Sequence, residues 1–205
     1  GGQKQRPVHP ALSKARLCAA TNPGKAREVR ALLPEVALET LAERPLEMPE
    51  EVGESFEVIA VEKARFASEA LGLPVIADDS GLEVDALGGR PGVRSARYVE
   101  GTDADRWRKV LDEMTGVEDR RARFVCAMAL VIPGATPVVI RGTCEGRIGA
   151  EPEGEGGFGY DPIFRVEDRG QWRSMALLTQ DEKNARSHRG HALRQIRPHL
   201  EQLFP

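Results

Sequence analysis

Cysteine is scarce in this 205-residue chain, and the three present, Cys18, Cys126 and Cys144, stand far apart in apolar runs. An odd, widely spaced set excludes a disulfide framework and has no metal-ligand spacing, so they read as reduced core thiols of a cytoplasmic protein. No run approaches the ~18 consecutive apolar residues of a membrane span; the longest, Ala127 to Ile132, is cut off by Pro133-Gly134. A basic excess is missing too. The net charge of -3 argues against a dedicated nucleic-acid binder, yet leaves room for a small polyanion held by a few local cations. Internal repeats, low-complexity tracts, the GxxxxGK[ST] spacing of a P-loop and any evident Ser–His pairing are all absent. Residues 1–14 are polar without an apolar signal core and read as a disordered leader or cloning remnant, and 15–205 as one domain of two lobes.

What is present is densest from Pro74 to Tyr98, PVIADDSGLEVDALGGRPGVRSARY. Pro74 to Ala77 reads as the end of a buried strand, with Asp78 and Asp79 where that strand stops and Ser80-Gly81 behind them. Neighbours on a strand face opposite ways, so at most one of the two carboxylates is expected to look inward. Two carboxylates at a strand end beside glycine suit a hard cation; Asp, Ser and Gly are equally ordinary turn residues. Leu82, Val84 and Ala86 then alternate as a separate short strand.

Before this stretch, Ala15 to Ala20 reads as a first strand, followed by Thr21-Asn22-Pro23-Gly24-Lys25 and the helical pattern AREVRALL. A strand, a loop carrying glycine and lysine, and a helix start form a physically sound phosphate cradle. Val36 to Thr40 reads as a second strand, and Glu50 and Glu51 fall in an acidic loop. Phe56 to Leu71 is a helix whose apolar stripe includes Lys63, a residue either snorkelling or aimed into a site. Downstream, Asp103 to Met114 reads as a helix, and Arg123 to Ile132 pairs with Val138 to Arg147 as a long hairpin. In GEGGFGYDPIF, Phe158 lies among glycines with Gly159, Tyr160 and Asp161 behind it, which fits either a stacking platform or a glycine-rich hairpin with core aromatics. Lys183, His188 and Arg189 precede a final helix that Pro198 should kink or end. They supply donors for phosphate or a purine carbonyl, although a single His is as readily a cap or an interface residue.

ADDSGLEVDALGGRPGVRSARY, GGFGYDPIF and EKNARSHRGHAL, in this order, resemble the inosine/xanthosine triphosphate pyrophosphatase family of the Ham1 type over about Arg16 to Leu200. The resemblance implies an elongated, two-lobed α/β fold with a long mixed sheet flanked by helices. It also implies a homodimer and a cleft between the lobes holding a purine nucleoside triphosphate with Mg²⁺, cleaved to monophosphate and pyrophosphate. By the match, Ala20, Thr21, Asn22, Pro23, Gly24 and Lys25 bind the triphosphate together with Lys63. Glu50 and Asp79 would hold Mg²⁺, Asp79 would also be the general base, and Asp78 and Ser80 would support the site. Phe158, Gly159, Tyr160 and Asp161 would line the base pocket, with Lys183, His188 and Arg189 reading the base. The chain departs from the family pattern at Ala20, Val58, Ile59 and Leu177.

Overall fold

The computed structural model describes residues 16–21, 23–32, 34 and 36–203. The chain runs β1 (Arg16–Ala20), α1 (Pro23–Leu32), β2 (Ala37–Thr40), α2 (Phe56–Leu71) and β3 (Val75–Val84). It continues through α3 (Asp103–Glu113), β4 (Arg121–Val131), β5 (Val138–Ile148), β6 (Phe164–Asp168), β7 (Gln171–Ser174), α4 (Gln180–Arg186) and α5 (His188–Leu203). The seven strands form one open mixed sheet in the order β2-β1-β3-β4-β5-β6-β7. The first three are parallel, as their helical crossovers α1 and α2 require, and the rest are antiparallel. Among the described residues no helix is long and apolar enough to cross a membrane.

Side-chain alternation along the strands sorts the interior into three clusters. On one face, Leu17, Ile76, Met128 and Leu130 pack against Val29 of α1 and Leu193 and Ile196 of α5. On the other, Cys18, Val75, Ala77, Ala127 and Ala129 pack against Phe56, Ala60, Ala64 and Ala67 of α2. Alanine dominates this second contact, so helix and sheet approach closely. The third cluster joins the far halves of β3 to β6 (Leu82, Val84, Cys144, Phe164) to Val110 of α3 and to Met114, its C-cap. Ile76, Leu82 and Val84 share one face of β3, so two cores lie on the same side of the sheet. The residues between them on that face are Asp78 and Ser80. The cleft is this interruption in the apolar row.

Three sequence expectations change here. Asp78 and Asp79 do not end a strand: β3 is a single ten-residue strand laddered to β4 throughout. Leu82 and Val84 continue β3 instead of forming a separate strand, and Ala86 falls in the turn that follows. Gly81 permits the close approach expected of it, since a Cβ there would lie 2.5 Å from the Gly92 carbonyl oxygen and 2.7 Å from Ser95 Oγ. Pro198 lies inside α5, which continues to Leu203. The antiparallel hairpin, the α2 helix with its Gly72 C-cap and the α3 helix capped by Thr102 match their expected positions.

Gly142 of β5 faces α5 so closely that a Cβ would collide with the His188 carbonyl and lie 2.7 Å from the Ala192 nitrogen. We expect Gly142→Ala to push α5 off the sheet and lower stability by about 1–3 kcal/mol, as overpacking does. Urea unfolding of the two proteins measures this.

Candidate active site

The two aspartates are both buried, contrary to the one-inward expectation, because helices cover both faces of the sheet. Asp78 faces α1 and α5. It accepts hydrogen bonds from Thr21 Oγ1 (3.0 Å), Lys25 Nζ (2.9 Å) and Ser80 Oγ (3.2 Å), and Arg189 Nε lies 4.0 Å away. Burial alone would raise its carboxyl, but the charges of Lys25, Arg189 and Lys63 outweigh burial and hold it well below the usual carboxylate range. Arg189 is itself buried and paired with Glu28 of α1. Asp78 is therefore a permanent anion that draws β1, α1 and α5 to one point.

Asp79 faces α2 and has the opposite electrostatics. Burial, with the Glu51 carboxylate nearby, pushes its carboxyl up to about 7, and Lys63 and Lys25 only partly offset this. Its Oδ2 is buried without a hydrogen-bond partner. Lys63 reaches in from α2, donating to the Asp78 carbonyl (2.8 Å) and pairing with Glu51 (3.0 Å). The two faces communicate around an open edge. β1 pairs with β3 only as far as Ala77, and the next partner along that edge is Pro91 opposite Glu83. Asp78 to Gly81 thus lack a strand partner on this side, with Lys63 on the Asp78 carbonyl and Ser95 Oγ accepting the Leu82 N–H at the two ends of the stretch.

Beside this stretch lies a cavity of about 370 Å³, bordered by Lys25, Ser80, Phe158, Lys183, His188 and Arg189. A second, of about 510 Å³, adjoins it and shares Lys25, Phe158 and Arg189. Phe158 is 58% exposed at the border of both cavities. Its backbone N–H donates to Asp161 Oδ2 (3.1 Å), the same oxygen that pairs with Lys183 (2.8 Å), and Lys183 Nζ stands 4.9 Å from the ring centroid. Gly157, with φ of +73°, brings the chain so near Asp161 that a side chain there would strike the carboxylate. Tyr160 is buried and donates its hydroxyl to the Ser95 carbonyl (2.7 Å). His188 is stacked on Phe124 with centroids 5.2 Å apart. Burial, then the charges of Arg189 and Lys25, hold its imidazole down to about 3, so it is neutral, with Nδ1 unpartnered.

The structure brings together Thr21, Lys25, Ser80, Phe158, Gly159, Tyr160, Asp161, Lys183, His188 and Arg189 around the cleft, with Lys63 and Asp79 at its open edge. Asn22 lies outside the described residues, as do residues 1–14. Ala20 points its methyl into the α2 core, leaving only its backbone for a ligand, and Pro23 and Gly24 already belong to the first turn of α1. Glu50 is displaced by its neighbour: the carboxylate beside Lys63 and Asp79 is that of Glu51, and among the described residues Glu50 forms no hydrogen bond or ion pair. The sequence reading puts the metal-holding role on Glu50; in the structure it is Glu51 that turns toward Lys63, a choice that loop residues, carrying no periodicity, do not announce. Of the family departures, Val58 and Leu177 are exposed and Ile59 is buried. Glu28, Asp103 and Arg106 line the cleft unanticipated; on the helices α1 and α3 they look like ordinary surface charges.

Asp79 and Glu51 fit a divalent cation. Asp79 has a buried oxygen lacking a partner, and its neutral form is favoured only while no extra positive charge is near. Among the described residues no three His, Cys, Asp or Glu side chains gather into a metal cage. Such a pair suits an ion that keeps most of its shell from phosphate and water, which is the habit of Mg²⁺.

The fold is a mixed α/β sheet with a cleft in which cations converge beside an exposed ring. The chain belongs to the Ham1 family, whose model matches residues 17–199. It is 48% identical over 193 residues to a dITP/XTP pyrophosphatase of Geobacillus kaustophilus, covering 90% of this chain and 93% of that one. It is 46% identical over 197 residues to the dITP/XTP pyrophosphatase of Bacillus subtilis, covering 93% and 98%. Among solved structures, a HAM1 protein from Coxiella burnetii superposes with a TM-score of 0.85 at 40% identity, covering 92% and 99% of the two chains.

The raised Asp79 carboxyl has a consequence for stability. Folding favours its protonated form, so this contribution is complete below about pH 4 and is lost as pH rises through about 7. We expect metal-free Asp79→Asn, neutral at every pH, to melt several degrees above the unmodified protein at pH 8 and level with it at pH 4. Thermal scans in chelator at both pH values test this.

Proposed function

We propose that this chain hydrolyses deaminated purine nucleoside triphosphates, dITP, XTP and ITP, to the monophosphate and pyrophosphate, removing them before they enter DNA or RNA. The observation that carries the reading is the open edge of β3. It lies between a cleft lined by Phe158 and four cations, Lys25, Arg106, Lys183 and Arg189, and the carboxylates of Asp79 and Glu51 on the opposite face. The base stacks on Phe158 with Lys183, His188 and Arg189 around it. The triphosphate then runs past Thr21 and Lys25, with Asn22 and the backbone from Ala20 to Gly24 beside it, and over Asp78 and Ser80 to Lys63. Lysine and arginine donate hydrogen bonds and accept none. At their positions a keto oxygen is satisfied, whereas the 6-amino group of adenine sets donor against donor, which costs about 1–3 kcal/mol per unpaired buried group.

Asp79 and Glu51 would hold Mg²⁺, which when bound neutralises phosphate charge and makes pyrophosphate a better leaving group. Asp79 acts as general base, taking the proton from the water that attacks the phosphorus; no protein donor occupies its Oδ2. Lys63 holds the Asp78 carbonyl and Glu51 at once, which fixes the pair relative to the strand. A homodimer and a cytoplasmic setting complete the proposal. The three cysteines, all free and buried, accord with a reducing compartment, and sedimentation of the purified protein reports the dimer.

Pyrophosphate release from dITP, ITP, XTP, ATP, GTP and dUTP, with Mg²⁺ and with chelator, tests the reaction. The expected result is Mg²⁺-dependent release from the first three alone; equal turnover of ATP would sink the base assignment. Turnover should vanish in Asp79→Asn. Glu51→Gln should lower kcat/KM by about tenfold or more, equal to losing about 1.4 kcal/mol of transition-state stabilisation, with recovery as Mg²⁺ is raised. Glu50→Gln should behave as the unmodified enzyme, and the reverse ranking would restore Glu50 as the ligand.

A further inference from the structure

The segment carrying the Phe158 ring is rich in glycine, so its own side chains do little to restrict its backbone. Gly154, Gly157 and Gly159 all have positive φ, and the ring projects from the protein rather than into it. Its local tie, the Phe158 N–H to Asp161, closes a turn only three residues wide. Among the described residues, one hydrogen bond joins the 157–159 backbone to a separate element: Gly159 N–H donates to Asp103 Oδ2 at 3.0 Å, across 56 positions of sequence. Asp103 is the first residue of α3 and borders the same cavity as the ring. Its other oxygen accepts from Arg106, one turn further along and also at the cavity wall, and Arg106 in turn donates to the Gly101 carbonyl at 3.0 Å.

We infer that Asp103 is a positioning residue for the base: by accepting the Gly159 N–H it fixes the angle at which Phe158 faces the cleft, with Arg106 setting the carboxylate. This rests on Phe158 being the base platform. Asp103 touches neither phosphate loop nor Asp79, so its loss weakens base binding and leaves the bond-breaking step intact. Its partner is a backbone N–H, hence what is required at position 103 is an acceptor atom and not a charge. An asparagine supplies that acceptor through its Oδ1.

Steady-state hydrolysis of dITP with Mg²⁺ by Asp103→Ala, Asp103→Asn and Phe158→Ala tests the assignment, with melting temperature followed for each. Loss of one such hydrogen bond should raise KM about fivefold to tenfold in Asp103→Ala, with kcat within about twofold, while Asp103→Asn stays near the unmodified enzyme. An unchanged KM in Asp103→Ala, alongside a raised one in Phe158→Ala, overturns the positioning role and leaves the platform standing. An unchanged KM in Phe158→Ala removes the platform itself. If Asp103→Asn is as impaired as Asp103→Ala, or if kcat falls with melting temperature in both, the carboxylate serves α3 and not the ring, and the inference fails.

Discussion

The buried charge of Asp78 is the constraint on which the rest of the site depends. A carboxylate this deep would ordinarily be neutral or absent; here Thr21, Lys25, Ser80 and the nearby Arg189 keep it ionised. Each of these partners comes from a different part of the chain, so satisfying one charge fixes the end of β1, the start of α1, the middle of β3 and the start of α5. Arg189 transmits the constraint outward to Glu28, and Lys25 stands at the border of both cavities. The cations that would meet phosphate are therefore already ordered by the protein's own anion. A ligand that takes over some of those contacts meets groups whose orientation is set in advance.

Asp79, one residue on, shows how far a single peptide step can change chemistry. The strand's alternation sends it to the α2 face, where Glu51 and burial raise its carboxyl while Asp78 is depressed. Two adjacent aspartates thus divide into a fixed structural anion and a proton acceptor near neutrality, a separation of roles that environment alone creates. Both sit on the stretch of β3 beyond Ala77 that has no strand partner on the β1 side. A full-length β1 would have paired that edge and sealed the two faces from one another.

Much of this was legible in the sequence, unevenly and for identifiable reasons. The hairpin of β4 and β5, the alanine-rich α2 and the capped α3 were readable because their signals are periodic or local. The motif clusters around Asp78, Phe158 and His188 were readable because glycine, acidic and aromatic residues crowd there in an order that chance does not supply. The continuous β3 was not, since Ser80-Gly81 carries the same composition as a turn and only the crossing segment at Gly92 to Ser95 explains the glycine. That Glu51 and not Glu50 pairs with Lys63 depends on how an irregular loop lies against α2. Glu28, Asp103 and Arg106 depend on which helix faces meet the cleft.

The sequence by itself determined the class of fold, the family, and most of the residues that meet in the cleft, because local propensity and motif order are properties of the chain read in one dimension. Tertiary structure alone decided which carboxylate is held as an anion and which has its proton affinity raised, which glutamate pairs with Lys63, and which distant residue accepts the Gly159 N–H across 56 positions. Those outcomes depend on burial and on charges brought in from distant segments. A carboxylate's proton affinity follows from what surrounds it in space, and its neighbours along the chain are only a small part of that.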